Sequence, residues 1–358
     1  MTHVPSYRPR EREASSGPPG DGATPTAQAG PSMEGRKVAL VHDWIEQIGG
    51  GERVVESLLG AFPQADLFTL FYDPRVVEGS ELRHCEINAS LLQRLPGIGR
   101  WYRYALPVLP LAIETFDVAS YDIVISSSSS VAKGVITSGN QLHVSYVHSP
   151  ARYVWDSGAH YPPRGMRRLA PVRVFEEWAK HRFRIWDRSA SVSPDYLVAN
   201  SSEVARRIRR AYGRPSEIIY PPVRVHEHTA DGVRGDFLLY VGRLVPYKRV
   251  DLIVRACEKV GQPLVIVGTG PELPVLRKLA GPNTRLLGRV SDEEVRGLLA
   301  SCKAFCYPGV EDFGIAMVEA QAAGAPVIAP RAGGALDILP GGTGVFMEDQ
   351  SVDGFLTA

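Results

Sequence analysis

Charge of one sign is almost missing from this chain of 358 residues: 40 lysines and arginines face 39 aspartates and glutamates, a formal net charge of +1. A dedicated nucleic-acid binder is usually strongly basic, so that class is disfavoured. Cysteine is scarce too. Four residues (Cys85, Cys257, Cys302, Cys306) make no disulfide framework in a chain this long, and a reducing cytoplasm is the simplest home. Cys302 and Cys306 are spaced to share a helix face, yet the His and Cys companions of a zinc site are missing, and buried thiols are the expectation. There is no run of about twenty apolar residues, which excludes a spanning helix. The longest apolar stretch, Tyr104 to Ile113, is broken by Pro107 and Pro110. Residues 1–34 lack periodic hydrophobicity and the apolar core of a signal peptide. Rich in Gly, Pro, Ser, Ala and Thr, they read as a disordered tail, or as sequence upstream of a true start near Met33.

What is present is the composition of a soluble globular protein, 44% hydrophobic and 22% charged, long enough for two domains. Lys37 to Val41 is a short buried-strand pattern, followed by the loop Gly49-Gly50-Gly51 and a helical pattern from Glu52 to Leu59. Ile123–Ile125 and Leu142–Val147 are further strands. Asp236 to Val241 restarts the same programme, with strands at Leu264–Val267, Thr284–Leu287, Ala304–Tyr307 and Val327–Ala329. Strands separated by helices imply parallel sheets. The reading is α/β: one Rossmann-like domain over 35–213, a linker over 214–235 containing Pro215, Pro221 and Pro222, and a second such domain over 236–358, with the sheets facing across a cleft. A dinucleotide-binding enzyme is disfavoured, because Val267-Gly268-Thr269-Gly270-Pro271-Glu272 has two glycines of the fingerprint and Leu273 where the third belongs.

The most informative stretch is 311–334. Glu311 and Glu319 stand seven residues apart, the first in a loop after Tyr307-Pro308-Gly309 and the second inside an Ala-rich helix closed by Gly324. Amides from about Phe313 through Gly314 and Ile315 to Ala316 open that helix and offer N–H groups to an anion. Val241-Gly242-Arg243-Leu244-Val245-Pro246-Tyr247-Lys248 leaves a strand end, where open parallel sheets bind ligands. Arg243 supplies a planar fork for phosphate oxygens and Lys248 a compact charge, a pair able to neutralise a departing diphosphate. In the first domain, Gly50 and Gly51 let backbone approach a ligand at a helix start. His148 follows another strand end; His42 and Asp43 do so too, with their role left open.

Together these residues resemble retaining glycosyltransferases of family four, which have the GT-B fold. Glu311 and Glu319 match the Glu-x7-Glu motif, and Arg243 and Lys248 the Gly-Arg-(x)4-Lys motif. The resemblance implies that Glu311 and the following amides meet a donor sugar, that Glu319 holds the nucleotide ribose, and that His148 lies against the sugar. Gly50 and Gly51 would lie beneath the sugar-phosphates, and Gly268 joins Phe313, Gly314 and Ile315 among the donor-binding positions. No bound cofactor or metal is implied, in keeping with the lack of an Asp-x-Asp pair near these motifs; a nucleotide-diphosphate sugar is the donor substrate. Val41-His42-Asp43-Trp44, Leu67 to Phe71, Ser126 to Ser130 and Tyr146 to Trp155 extend the resemblance to bacterial O-antigen and exopolysaccharide mannosyltransferases. That implies a hexose, mannose from GDP-mannose, passed to a lipid-linked or polysaccharide glycan.

Two basic–aromatic clusters accompany these motifs. Arg100-Trp101-Tyr102-Arg103-Tyr104 is one; the other holds Arg164, Arg167, Arg168, Arg173, Lys180, Arg182, Arg184 and Arg188 with Trp178, Phe183 and Trp186. Either a peripheral contact with an anionic membrane or a solvated helix face accounts for the second. Family members usually continue past the point where this sequence stops, so the second domain is expected to be incomplete. A shortened chain that binds nucleotide without turnover, and a sugar-nucleotide epimerase or hydrolase of the same architecture, stay open beside the transferase reading.

Overall fold

Every strand pairing between named strands is parallel, and the strands fall into two sheets. In the computed structural model, which describes residues 35–102, 105–156, 170–230 and 233–358, the first sheet contains β1 (Val38–His42), β2 (Asp66–Thr69), β3 (Ile87–Ala89), β4 (Ile123–Ser128), β5 (Leu142–Val147), β6 (Tyr196–Ala199) and β7 (Glu217–Ile218). Their order is β3-β2-β1-β4-β5-β6-β7. The second contains β8 (Leu238–Val241), β9 (Leu264–Val267), β10 (Thr284–Gly288), β11 (Ala304–Cys306), β12 (Val327–Pro330) and β13 (Gly344–Met347), in the order β10-β9-β8-β11-β12-β13. Both sheets start in the middle, run to one edge and jump back. The strand order therefore reverses between β1 and β4 and between β8 and β11, where loops from neighbouring strands diverge and leave a crevice.

The strands β1, β8 and β9 are almost wholly apolar because helices cover both faces, while the central β4 and β5 also bury Ser126 to Ser128, His143 and Ser145. All five residues of β1 and all four of β9 are buried. The helix Val250–Val260 buries Val250, Leu252, Ile253, Val254, Ala256 and Cys257 against the second sheet. Cys302 and Cys306 join that core, but they do not share a helix face as their spacing implied. Cys302 follows the helix Asp292–Ser301 and Cys306 lies in β11. Burial pushes the Cys257 thiol up to about 12 and Cys302 up to about 11, which leaves them unreactive.

The segment 214–235 is more than a linker. Glu217–Ile218 pairs with β6 as the edge strand of the first sheet, and Tyr146 donates to the Ile219 carbonyl at 2.9 Å. Further on, the Arg234 guanidinium donates to the carbonyls of Leu299, Cys302 and Ala323, at 3.2, 3.0 and 2.7 Å. One end of the segment belongs to each sheet.

A buried ion pair ties the long helix Ala170–Ala190 to the first sheet. Lys133 donates to the Ser130 carbonyl at 2.7 Å and to the Asp187 carboxylate, and both side chains are almost wholly buried. Asp187 also accepts from Trp155 Nε1 (2.6 Å) and the Tyr212 hydroxyl (3.0 Å). Among the described residues no helix is long and apolar enough to cross a membrane.

Removing one partner of this pair strands a buried charge. Lys133→Ala is expected to destabilise the fold by about 3–5 kcal/mol, whereas the double replacement Lys133→Met with Asp187→Leu recovers most of the loss. Urea unfolding of the three proteins measures both. A single variant within 1 kcal/mol of wild type, on the order of a surface pair, would remove the pair from the stability argument.

Candidate active site

The β8 and β11 loops meet at Lys248. Its Nζ lies 3.3 Å from Glu311 Oε1 and 5.2 Å from the Tyr307 ring centroid, and the Tyr307 hydroxyl donates to the same Glu311 oxygen at 2.7 Å. Burial alone would raise the Glu311 carboxyl. Lys248, the Tyr307 hydroxyl and Arg152 outweigh that and hold it below its usual value. Glu311 is thus an anion at neutral pH and accepts hydrogen bonds only. Gly309 permits the meeting, since a Cβ there would stand 2.7 Å from Lys248 Cα. Arg243 is exposed one residue after Gly242 in the β8 loop.

Gly268 follows β9 at φ +140°, and a Cβ on it would come within 1.9 Å of the Gly242 carbonyl oxygen. Its position serves close packing of the β8 and β9 loops. Gly314, at φ +110°, starts the helix Ile315–Ala322. The Phe313 ring is buried and stacks on Tyr220, centroids 5.4 Å apart, so its side chain serves packing, and the backbone amides of Phe313, Gly314 and Ile315 are what this helix start could offer an anion. Glu319 lies in the second turn of that helix, and Arg53 Nη1 from the first domain approaches its Oε1 at 3.5 Å.

The first domain contributes the ends of three adjacent strands. His42 closes β1, Ser127 stands beside it on β4, and His148 follows β5. His148 Nε2 is 2.8 Å from Ser127 Oγ, and His42 Nδ1 is 3.1 Å from both the carbonyl and the hydroxyl of Ser127. Burial, reinforced by His42, pushes His148 down to about 4, so its ring is neutral. For His42 burial acts downward, but Glu52 at 3.8 Å, Asp43 and the Ser127 carbonyl raise it overall. Gly50 and Gly51 open the helix Gly50–Ala61 between the two halves. A Cβ at Gly51 would lie 3.6 Å from His148 Nε2, and one at Gly50 would lie 3.0 Å from Ile315 Cδ1. The structure therefore brings His148, Gly50, Gly51 and Ile315 together across the cleft, with Lys248 and Glu311 joined in the second domain.

Several residues of the site carried no local signal. Asp43, whose role the motif left open, accepts five hydrogen bonds of 2.6–2.9 Å from Ser129, Ser130, Val131 and Ala132, and so shapes the serine-rich loop after β4. Arg152 and Arg207 of the first domain each stand 3.6 Å from Asp312, the neighbour of Glu311. Burial pushes Asp312 up to about 6 in spite of both. Arg152 also lies over the Tyr247 ring at 4.7 Å. Ser201 donates to the Asp312 carbonyl, and Ser202 donates to Asp337 from its amide (2.8 Å) and hydroxyl (2.5 Å). The start of the helix Ser202–Tyr212 is thereby hooked to the second-domain segments that carry Asp312 and Asp337. Among the described residues, no group of three or more His, Cys, Asp or Glu side chains is placed to hold a metal ion.

Comparison with known proteins places the family and the fold. Residues 48–227 match the family model "Glycosyltransferase Family 4" and residues 227–357 match "Glycosyl transferases group 1". A GDP-mannose-dependent alpha-mannosyltransferase of Mycolicibacterium smegmatis is 30% identical over 211 residues, 57% of this chain and 49% of that protein. One of the same description from Corynebacterium glutamicum is 38% identical over 111 residues, 31% of this chain and 27% of that protein. The chain thus aligns with half or less of these curated relatives. Among solved structures, Anabaena HepE in complex with UDP-glucose is similar at a TM-score of 0.61 and 16% identity, covering 89% of each chain. Sucrose-phosphate synthase of Thermosynechococcus elongatus is similar at 0.65 and 18%, covering 90% of this chain and 88% of that one. Both likenesses bear on the fold alone. With one family model covering the first sheet from β2 to β7 and the other covering the second sheet, the chain belongs to glycosyltransferase family 4 and has the two-domain GT-B fold.

Proposed function

We propose that the chain is a retaining hexosyltransferase that moves mannose from GDP-mannose to a lipid-linked or polysaccharide glycan at the cytoplasmic face of the membrane. The observation that carries the reading is the joining of Lys248 and Glu311 beside the N-terminus of the helix Ile315–Ala322. This supplies cationic and amide donors for a diphosphate next to an acceptor for sugar hydroxyls. GDP-mannose-dependent relatives support the donor.

In this mechanism the diphosphate gains charge as the sugar leaves. Lys248, Arg243 and the first-turn amides are fixed dipoles and charges aimed at that group, and they stabilise it most when the bond is broken. Glu311 and His148 orient the sugar, and Glu319 holds the ribose. No protein nucleophile is required if a leaving-phosphate oxygen takes the proton of the attacking hydroxyl on the same face. Turnover that needs a glycan acceptor separates a transferase from an epimerase or hydrolase.

The helix Ala170–Ala190 fits a lipid acceptor. Val174, Phe175, Trp178 and Ile185 are exposed, between 52% and 70%. At about 100° per residue, Val174, Trp178 and Ile185 fall within a 40° arc. Phe175 stacks on Trp178 at 5.7 Å, and exposed Arg182 shares this side. Phe183, Trp186 and Asp187 turn inward instead: Phe183 is buried, and Trp186 donates to Glu114 at 2.6 Å. The surface is thus narrower than the sequence cluster. Arg164, Arg167 and Arg168, like Arg103 and Tyr104 of the other cluster, lie outside the described residues. An anionic bilayer matches apolar side chains flanked by arginine.

Three outcomes are expected. Lys248→Ala lowers kcat/KM for GDP-mannose roughly 100-fold, about 3 kcal/mol of barrier; steady-state kinetics with near-normal turnover would take Lys248 out of the mechanism. Glu319→Ala weakens GDP binding by about 1–3 kcal/mol, read by calorimetry, and an unchanged Kd refutes the ribose assignment. Replacing Phe175 and Trp178 together by Ser lowers cosedimentation with anionic phospholipid vesicles about tenfold. Failure of the unmodified protein to bind such vesicles would dismiss the membrane contact.

A further inference from the structure

His148 sits at the end of a series of hydrogen bonds and one charge contact that begins at the glycine loop. We propose that Glu52, His42 and Ser127 form a positioning chain behind His148, holding its imidazole as the tautomer with the proton on Nδ1.

The assignment follows from which atoms can only accept. His42 Nδ1 lies 3.1 Å from the Ser127 carbonyl oxygen, and a carbonyl has no proton to give, so His42 Nδ1 carries the hydrogen. The same nitrogen lies 3.1 Å from Ser127 Oγ. The serine hydroxyl therefore meets an N–H on that side and cannot aim its own hydrogen there. The other partner of Ser127 Oγ is His148 Nε2 at 2.8 Å. Ser127 donates to it, His148 Nε2 accepts, and the ring proton of the neutral imidazole resides on Nδ1. On the far side, His42 Nε2 faces Glu52 Oε1 at 3.8 Å, while Glu52 Oε2 accepts the Gly49 amide at 2.9 Å. The carboxylate is an acceptor too, and at this distance it favours a second proton, on His42 Nε2, by its charge rather than by a hydrogen bond.

Strand register makes this arrangement rigid. His42 is paired with Ser127 across β1 and β4, Ser127 with Tyr146 across β4 and β5, and the His148 amide donates to the Ser128 carbonyl at 2.8 Å. The electrostatic settings of the rings are opposite: burial pushes His148 down to about 4, whereas Glu52, Asp43 and the Ser127 carbonyl draw His42 upward against its own burial. Because Glu52 belongs to the helix opened by Gly50 and Gly51, the loop expected beneath the sugar-phosphates and the ring expected against the sugar are set by one network. The functional consequence rests on the reading of His148 as a sugar contact: Nδ1–H gives that sugar a hydrogen-bond donor. Ser127, His42 and Glu52 act through His148 and touch no substrate in this scheme.

The test is long-range proton–nitrogen correlation NMR of the imidazoles in the full chain, with His148 assigned by its loss in His148→Gln. The wild-type protein is expected to show an unprotonated Nε2 and a protonated Nδ1 at His148, and a doubly protonated His42. Ser127→Ala is expected to give mixed tautomers at His148 while leaving distant histidines unmoved, and Ser127→Thr to restore the single form. In kinetics, Ser127→Ala should lower kcat roughly tenfold with little change in donor KM, again restored by Thr. A wild-type His148 protonated on Nε2, or a tautomer unmoved in Ser127→Ala, would overturn the chain. The expected spectra combined with full turnover in His148→Gln would uphold the chain and instead remove His148 from the sugar site.

Discussion

The site exists because backbones touch where side chains would keep them apart. Gly309 lets the β11 loop lie against Lys248 Cα, and Gly268 lets the β9 loop close onto the Gly242 carbonyl. A Cβ at either place would stand 2.7 Å from Lys248 Cα or 1.9 Å from the Gly242 oxygen, inside van der Waals contact with backbone, so a loop would have to move. Lys248 and Glu311, 63 positions apart in sequence, reach 3.3 Å only with those approaches in place. The ionised state of Glu311 and the orientation of the Tyr307 hydroxyl both depend on that contact.

The first domain solves the same problem with a carboxylate. Asp43 gathers the amides of residues 129–132 and turns them away from the continuation of β4. This bend ends the strand just beyond Ser127 and Ser128 and leaves their neighbours His42 and His148 at the crevice. Four consecutive backbone donors on one carboxylate form a rigid nest. Asp43 is buried and fully engaged, so its place next to the two histidines is structural.

The strands β1, β4, β5 and β8 to β12 were legible from short apolar runs of the kind that burial on two faces demands, as in β1, β8 and β9, whereas the four-residue interior strands β2 and β6, which begin on the half-buried Asp66 and the exposed Tyr196, were not. The helix Ile315–Ala322 was legible from its punctuation: Gly314 opens it and Gly324, at φ +73°, closes it. Short edge elements were not. Glu217–Ile218 has two exposed residues and no alternation, so a stretch marked by prolines hid a strand. Pairs made across the cleft were invisible for another reason. Arg53 with Glu319 and Arg152 with Asp312 join residues more than 150 positions apart, and each reads locally as a solvated charge. Basic–aromatic composition likewise overstated one surface, because Phe183 and Trp186 obey the inward side of the helix period.

Charge in the cleft is divided unevenly, and the division constrains the chemistry. Glu311 is balanced by Lys248, and Asp312 by Arg152 and Arg207, while burial opposes ionisation of both carboxyls. Glu311 stays anionic because its cation and the Tyr307 hydroxyl both lie within 3.3 Å. It can orient a hydroxyl but has no proton to hand to a leaving group. His148, neutral and half-buried, is equally unsuited to act as a strong acid near pH 7. Under the proposed transfer, departure of a diphosphate would then rest on charge stabilisation by Lys248, Arg243 and the helix amides rather than on protonation by the protein. That is a workable demand, because a diphosphate is a stable anion and needs neutralisation more than it needs a proton.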